Sequence, residues 1–94
     1  MASLKVEFLS SLAKITDTKE ITIDIGEKST IKDLLENLKE RFGKEFEGRF
    51  YTNGKLNSYI IILLNGNDVR NAKFINTELK EGDNILFLPA IAGG

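Results

Sequence analysis

Ser29-Thr30-Ile31-Lys32-Asp33-Leu34-Leu35-Glu36-Asn37-Leu38-Lys39-Glu40-Arg41-Phe42-Gly43 carries the clearest periodicity in the chain. Ile31, Leu34, Leu35, Leu38 and Phe42 recur at the spacing of a single helical face, and Lys32, Glu36, Lys39, Glu40 and Arg41 fall on the other side. Thr30 can cap the first turn, Asp33 completes a capping box three residues on, and Gly43 ends the helix, which is expected from Ile31 to Phe42. Such a helix buries one stripe only, so its partner must be a sheet or another helix.

Outward from the helix, the pattern changes to period two. Leu4-Lys5-Val6-Glu7-Phe8 and Ile21-Thr22-Ile23-Asp24-Ile25 alternate apolar and polar residues as half-buried strands do. Ser10-Ser11 ends the first strand, Thr16 to Lys19 is a polar stretch, and Gly26 ends the second strand. On the C-terminal side, Lys44 to Ser58 reads as a structured loop with Phe46, Phe50, Tyr51 and Leu56 dispersed in it and a turn at Asn53-Gly54. Tyr59 to Leu64 is an unbroken apolar run that predicts a strand buried on both faces and central in its sheet. Asn65-Gly66 predicts a tight hairpin into a short strand near Asp68 to Arg70. A turn at Leu79-Lys80-Glu81-Gly82-Asp83 leads to a final strand from Asn84 to Leu88, which Pro89 closes by removing a ladder donor. The elements imply an α+β architecture with one main helix on one face of a mixed sheet of four to five strands.

Composition narrows the function. A chain of 94 residues falls in the size range of one domain, burying roughly 60% or more of its unfolded surface. It contains no cysteine and no histidine, which removes thiolate zinc sites, cysteine nucleophiles, the commonest general base and the commonest nitrogen ligand. No metal site is expected, and the chain is expected not to be an enzyme. A net charge of −1, with lysines scattered among acids, offers no basic stripe for nucleic acid. No apolar run is long enough to span a bilayer and the first residues lack a signal-peptide core, so the expected location is the cytoplasm, without membrane association.

The last residues are Leu88-Pro89-Ala90-Ile91-Ala92-Gly93-Gly94. Two terminal glycines arise by chance in about one chain in 200. Lacking Cβ atoms, Gly93 and Gly94 can lie extended in a narrow channel and present an unhindered carboxylate. Residues 1–88 are read as the domain and 89–94 as a flexible tail presented to a partner. Alternation also places Val6, Phe8, Ile85 and Phe87 towards the helix and leaves Leu9, Leu86 and Leu88 on the opposite sheet face as a candidate docking patch. Gly82-Asp83 is read as turn chemistry and the exposed lysines Lys32, Lys39 and Lys80 as solvated surface.

Taken together, Lys5-Val6-Glu7-Phe8, Ser29 to Leu35, Ile62-Leu63-Leu64-Asn65-Gly66, and above all Leu79 to Asp83 followed by Phe87 to Gly94, resemble the β-grasp (ubiquitin-like) sulfur carriers and small modifiers. This family includes MoaD, the small subunit of molybdopterin synthase, ThiS, and the archaeal small modifier proteins. Ala90 stands where many members have a second proline and Ala92 where serine or threonine is frequent, and the long segment from Gly43 to Ser58 looks more like the archaeal and related bacterial members. The resemblance implies that no cofactor is bound by the chain and that a ubiquitin-activating-type enzyme (MoeB/ThiF-like) uses Mg-ATP to adenylate the Gly94 carboxylate. Sulfur then replaces AMP, giving a thiocarboxylate for the molybdopterin synthase large subunit or another sulfur acceptor. Alternatively, a target-protein lysine takes the acyl group. Sulfur supply for thiamine, cysteine or tRNA thiolation is a further alternative, and members bind their enzymes through the sheet face carrying Leu86 and Leu88.

Overall fold

The computed structural model describes residues 2–90. Strand β1 (Ala2–Phe8) leads through helix α1 (Ser11–Thr16) to β2 (Glu20–Ile25), and the main helix α2 spans Ile31–Phe42. Helix α3 (Lys44–Phe50) follows at once, then a hairpin of β3 (Tyr51–Thr52) and β4 (Lys55–Leu56). The chain closes with β5 (Ile60–Leu64), β6 (Asn67–Asp68), two 3-10 turns at Val69–Asn71 and Phe74–Asn76, and β7 (Asn84–Pro89). Five strands form one sheet in the order β2-β1-β7-β5-β6. The first and last strands, β1 and β7, lie parallel at its centre, and every other pairing in it is antiparallel. This is the mixed sheet with a helix across one face that the β-grasp resemblance implies.

Helix α2 has the expected bounds, and its capping box is formed: the Thr30 hydroxyl accepts from the Asp33 amide while the Asp33 carboxylate accepts from the Thr30 amide. Its buried residues Ile31, Leu34, Leu35 and Leu38 join a single core with Leu4, Val6 and Phe8 of β1, Ile23 and Ile25 of β2, Ile60 and Ile62 of β5, and Ile85 and Phe87 of β7. Phe8 and Phe87, opposite one another in the parallel register, stack at 5.5 Å. Asn65 and Gly66 both take positive φ, as do Asn53 and Gly54, so each Asn-Gly makes a tight hairpin turn.

Several expectations need correction. The segment from Lys44 to Ser58 is not a loop: Phe42, Phe46 and Phe50 lie four residues apart, their rings stack in sequence at 6.2 and 4.0 Å, and Phe50 meets Phe8 and Phe87 edge-on, so α3 is a further helix on the inner face of the sheet. Residues 11–16 form α1, a short helix held by the buried side chain of Leu12. Strand β5 lies inside the sheet, between β7 and β6, but it is not buried on both faces: Ile60 and Ile62 are buried, whereas Ile61 and Leu63 are only half-buried. The short strand is Asn67–Asp68, and Val69 to Asn71 turns as a 3-10 helix.

The final strand also runs one residue beyond expectation, through Pro89. Even-numbered residues here bond towards β5, since the Ala90 amide donates to the Tyr59 carbonyl and the Asn84 carbonyl accepts from Asn65. Odd-numbered ones face β1, since the Phe87 carbonyl accepts from Leu9 and the Asp83 carbonyl from Lys5. Pro89 therefore lacks its donor on the side where β1 has already ended at Phe8 and turned away at Ser10, whose φ is 54°. There the missing N–H costs no ladder bond.

Candidate functional site: the outer sheet face and the C-terminal exit

Gly94, Gly93, Ala92 and Ile91 lie outside the described residues; Pro89 and Ala90, both half-buried, are where the described chain leaves the sheet. The outer face of the sheet, turned away from α2, divides into two halves. Over β2 and β1 it is polar, with Lys5 bridging to Glu7 at 3.8 Å and to Glu20 at 3.5 Å. Over β7 and β5 it is apolar. Leu86 lies opposite Leu63, and Leu88 opposite Ile61. Cross-strand partners share a face, so these four side chains form one patch, and none of them packs on the core cluster.

Leu86 and Leu88 thus occupy the positions expected from alternation. Leu9 sits one step past the last registered pair of β1 and β7, which brings it alongside Leu88, and it is 42% exposed. Ile61 and Leu63 are the patch residues that sequence reasoning missed. Their signal was the apolar run itself, in which odd-numbered residues serve the outer face. Asp68, opposite Leu63 in β6, forms the far rim. Its carboxylate accepts from the Arg70 amide at 2.9 Å, and that backbone bond holds its pKa below the usual value.

The turn before β7 is built by hydrogen bonds internal to the fold. The Asp83 carboxylate accepts from the Lys80 amide at 2.7 Å and from the Asn65 side chain at 3.0 Å, and Gly82 takes a φ of 84°. That is the turn chemistry read from Gly82-Asp83, and it pins the start of β7 to the β5–β6 hairpin. On the opposite side of the molecule, burial together with Glu36 and Glu47 raises the pKa of Tyr51, and the Lys39 ammonium lies 5.5 Å above its ring. Among the described residues no cluster of His, Cys, Asp or Glu is placed to hold a metal, and no helix is long and apolar enough to cross a membrane.

The model of the ThiS family matches residues 6–94. The chain belongs to the ThiS family. It is 36% identical over 75 residues to a protein of Archaeoglobus fulgidus proposed to be a sulfur carrier, covering 80% of this chain and 84% of that one. The solution structure of small archaeal modifier protein 1 from Methanosarcina acetivorans superposes with a TM-score of 0.85 at 30% identity, covering 100% of this chain and 98% of that one. A chain of the crystallised BexX/CysO complex of Amycolatopsis orientalis superposes with a TM-score of 0.77 at 25% identity, covering 97% of this chain and 99% of that one. This ThiS-family protein is thus a member of the ubiquitin-like sulfur-carrier and small-modifier group, with relatives that assemble with partner proteins.

Proposed function

We propose that the protein is a sulfur carrier whose Gly94 carboxylate is adenylated by a ubiquitin-activating-type enzyme and converted to a thiocarboxylate, which donates sulfur in molybdopterin synthesis. The observation that carries this reading is the extent of the family match, which runs through Gly93 and Gly94. In the proposed sequence a carboxylate oxygen of Gly94 attacks the α-phosphorus of Mg-ATP, and pyrophosphate leaves. A persulfide on the partner then attacks the acyl carbon and AMP leaves, forming an acyl disulfide. A second thiol cleaves that disulfide, releasing the thiocarboxylate and a new disulfide. The chain contributes the electrophile and the outer-face patch of Leu9, Ile61, Leu63, Leu86 and Leu88 as the docking surface, and the partner supplies the catalytic groups.

The kinship with a small archaeal modifier protein at 30% identity favours one second reading, in which a target lysine ε-amine attacks the same acyl adenylate to form an isopeptide bond. Intact mass of the protein purified from its own host, incubated with host extract, Mg-ATP and a sulfur source, separates the two. The carrier reading expects a gain equal to replacement of one oxygen by sulfur at Gly94. Higher-mass conjugates linked through Gly94 would establish the modifier reading instead, and an unchanged mass would defeat both.

A further inference from the structure

We propose that the hydrogen bond from the Ala90 amide to the Tyr59 carbonyl is a positioning device for the Gly94 carboxylate, setting how far that group can reach from the sheet. The proposal rests on the carrier reading. By Pro89 the last strand has lost its neighbour on one side, because β1 stops at Phe8, and Pro89 itself has no amide to donate. The bond from Ala90 to Tyr59 is therefore the outermost paired backbone donor of this strand among the described residues.

Its acceptor is braced from the other side. The Asn57 amide donates to the Phe50 carbonyl at 2.8 Å, the Ile60 amide to the Asn57 carbonyl at 3.1 Å, and the Asn57 side chain to the Arg49 carbonyl at 2.7 Å. The Tyr59 hydroxyl donates to that same Arg49 carbonyl at 3.3 Å. Tyr59 is 41% exposed, so core burial does not account for its placement. The end of α3 thus fixes the segment that fixes Ala90. By strand parity Ala90 continues the row of Leu86 and Leu88, so the exit point is continuous with the apolar patch.

Chain geometry turns this into a reach. Four residues follow Ala90, and whatever their conformation they span at most about 14 Å. Without the Ala90 bond the last residue bonded to β5 is Leu88, opposite Ile61. Six residues would then follow, with a limit of about 21 Å, and the volume within reach grows roughly threefold. A partner gripping the patch would find the carboxylate in its channel correspondingly less often. The docking contacts themselves would not change.

The test replaces Ala90 by lactic acid in the full chain, which turns the amide donor into an ester oxygen and keeps the methyl group. ATP–pyrophosphate exchange with the host's adenylating enzyme is expected to show kcat lowered roughly threefold with KM for the carrier unchanged, a split that a general loss of folding would not give. Hydrogen exchange on the unmodified protein is expected to show the Ala90 amide protected. An ester variant with the kcat of the unmodified protein, a loss that falls on KM, or an Ala90 amide exchanging as fast as in an unstructured peptide would each overturn the proposal. If the unmodified protein supports no exchange of pyrophosphate, the carrier reading fails and takes the positioning role with it. A protected Ala90 amide would then show that the bond itself stands.

Discussion

The two faces of β5 and β7 are built from the same residue types on the same strands, yet they end differently. Ile60, Ile62, Ile85 and Phe87 point inward and are between 0 and 3% exposed. Ile61, Leu63, Leu86 and Leu88 alternate with them and are only half-buried. All three helices serve the inner face: Leu12 from α1, Leu34, Leu35 and Leu38 from α2, and Phe46 and Phe50 from α3 belong to the core around Phe8 and Phe87. Among the described residues no helix covers the outer half. An apolar run in a strand therefore states a demand for burial without stating who meets it. Here one face is satisfied within the chain, and the other stays half-buried, which is the ground for proposing it as a docking surface.

Substitutions on adjacent residues of β7 should break this symmetry in opposite ways. Phe87→Ala carries the largest expected effect on stability, because the ring stacks on Phe8 and meets Phe50 edge-on at 5.7 Å with no exposure. Its loss should cost about 3–5 kcal/mol, a large part of what a domain of this size has, read as a lowered urea midpoint. Leu88→Asp, one residue on, should cost only about 1 kcal/mol, since the side chain leaves no cavity in the core. On the proposed docking, the same change should weaken binding to the adenylating enzyme at least roughly tenfold, because it places a charge at the centre of the apolar patch. Titration calorimetry reads that directly. Unchanged affinity would remove the outer face from the docking role.

The same contrast explains what the amino-acid sequence disclosed. Helix α2 was legible end to end because Thr30, Asp33 and Gly43 are local signals and its stripe needs only one neighbour. The β5–β6 hairpin was legible because Asn65-Gly66 supplies two positive φ values, whereas Asn53-Gly54 disclosed its turn but not the β3–β4 pairing around it. Helix α3 was not: its seven residues include Gly48, and only Phe46 and Phe50 continue the spacing begun by Phe42. Helix α1 has six residues, too few to be stable alone, and exists because Leu12 is buried. In the candidate site, Gly93 and Gly94 stand out by residue type alone, and alternation located Leu86 and Leu88. Ile61 and Leu63 stayed hidden in a run read as two-sided burial. The bond from Ala90 to Tyr59 joins backbone groups thirty-one residues apart, so no side chain announces it.

The smallest effect sharpens the comparison most finely, because it loosens the cover of the inner face without touching either face. Thr30→Ala removes the hydroxyl that accepts from the Asp33 amide, a long bond at 3.4 Å, and leaves the Asp33 carboxylate without one donor at 3.2 Å. The Thr30 amide keeps its bond to that carboxylate at 2.9 Å, and the start of the helix stays tied by the Ile31 amide to the Thr77 carbonyl at 3.0 Å. The loss should therefore sit at the low end for a cap, about 0.5–1 kcal/mol, and lower the melting temperature by about 3–6 °C. Affinity for the adenylating enzyme, measured well below that temperature, should not change, since the outer patch belongs to strands that the cap does not support. If affinity fell in step with stability, the two faces would be coupled, and the outer face would be shaped by the packing of the helix beneath the sheet.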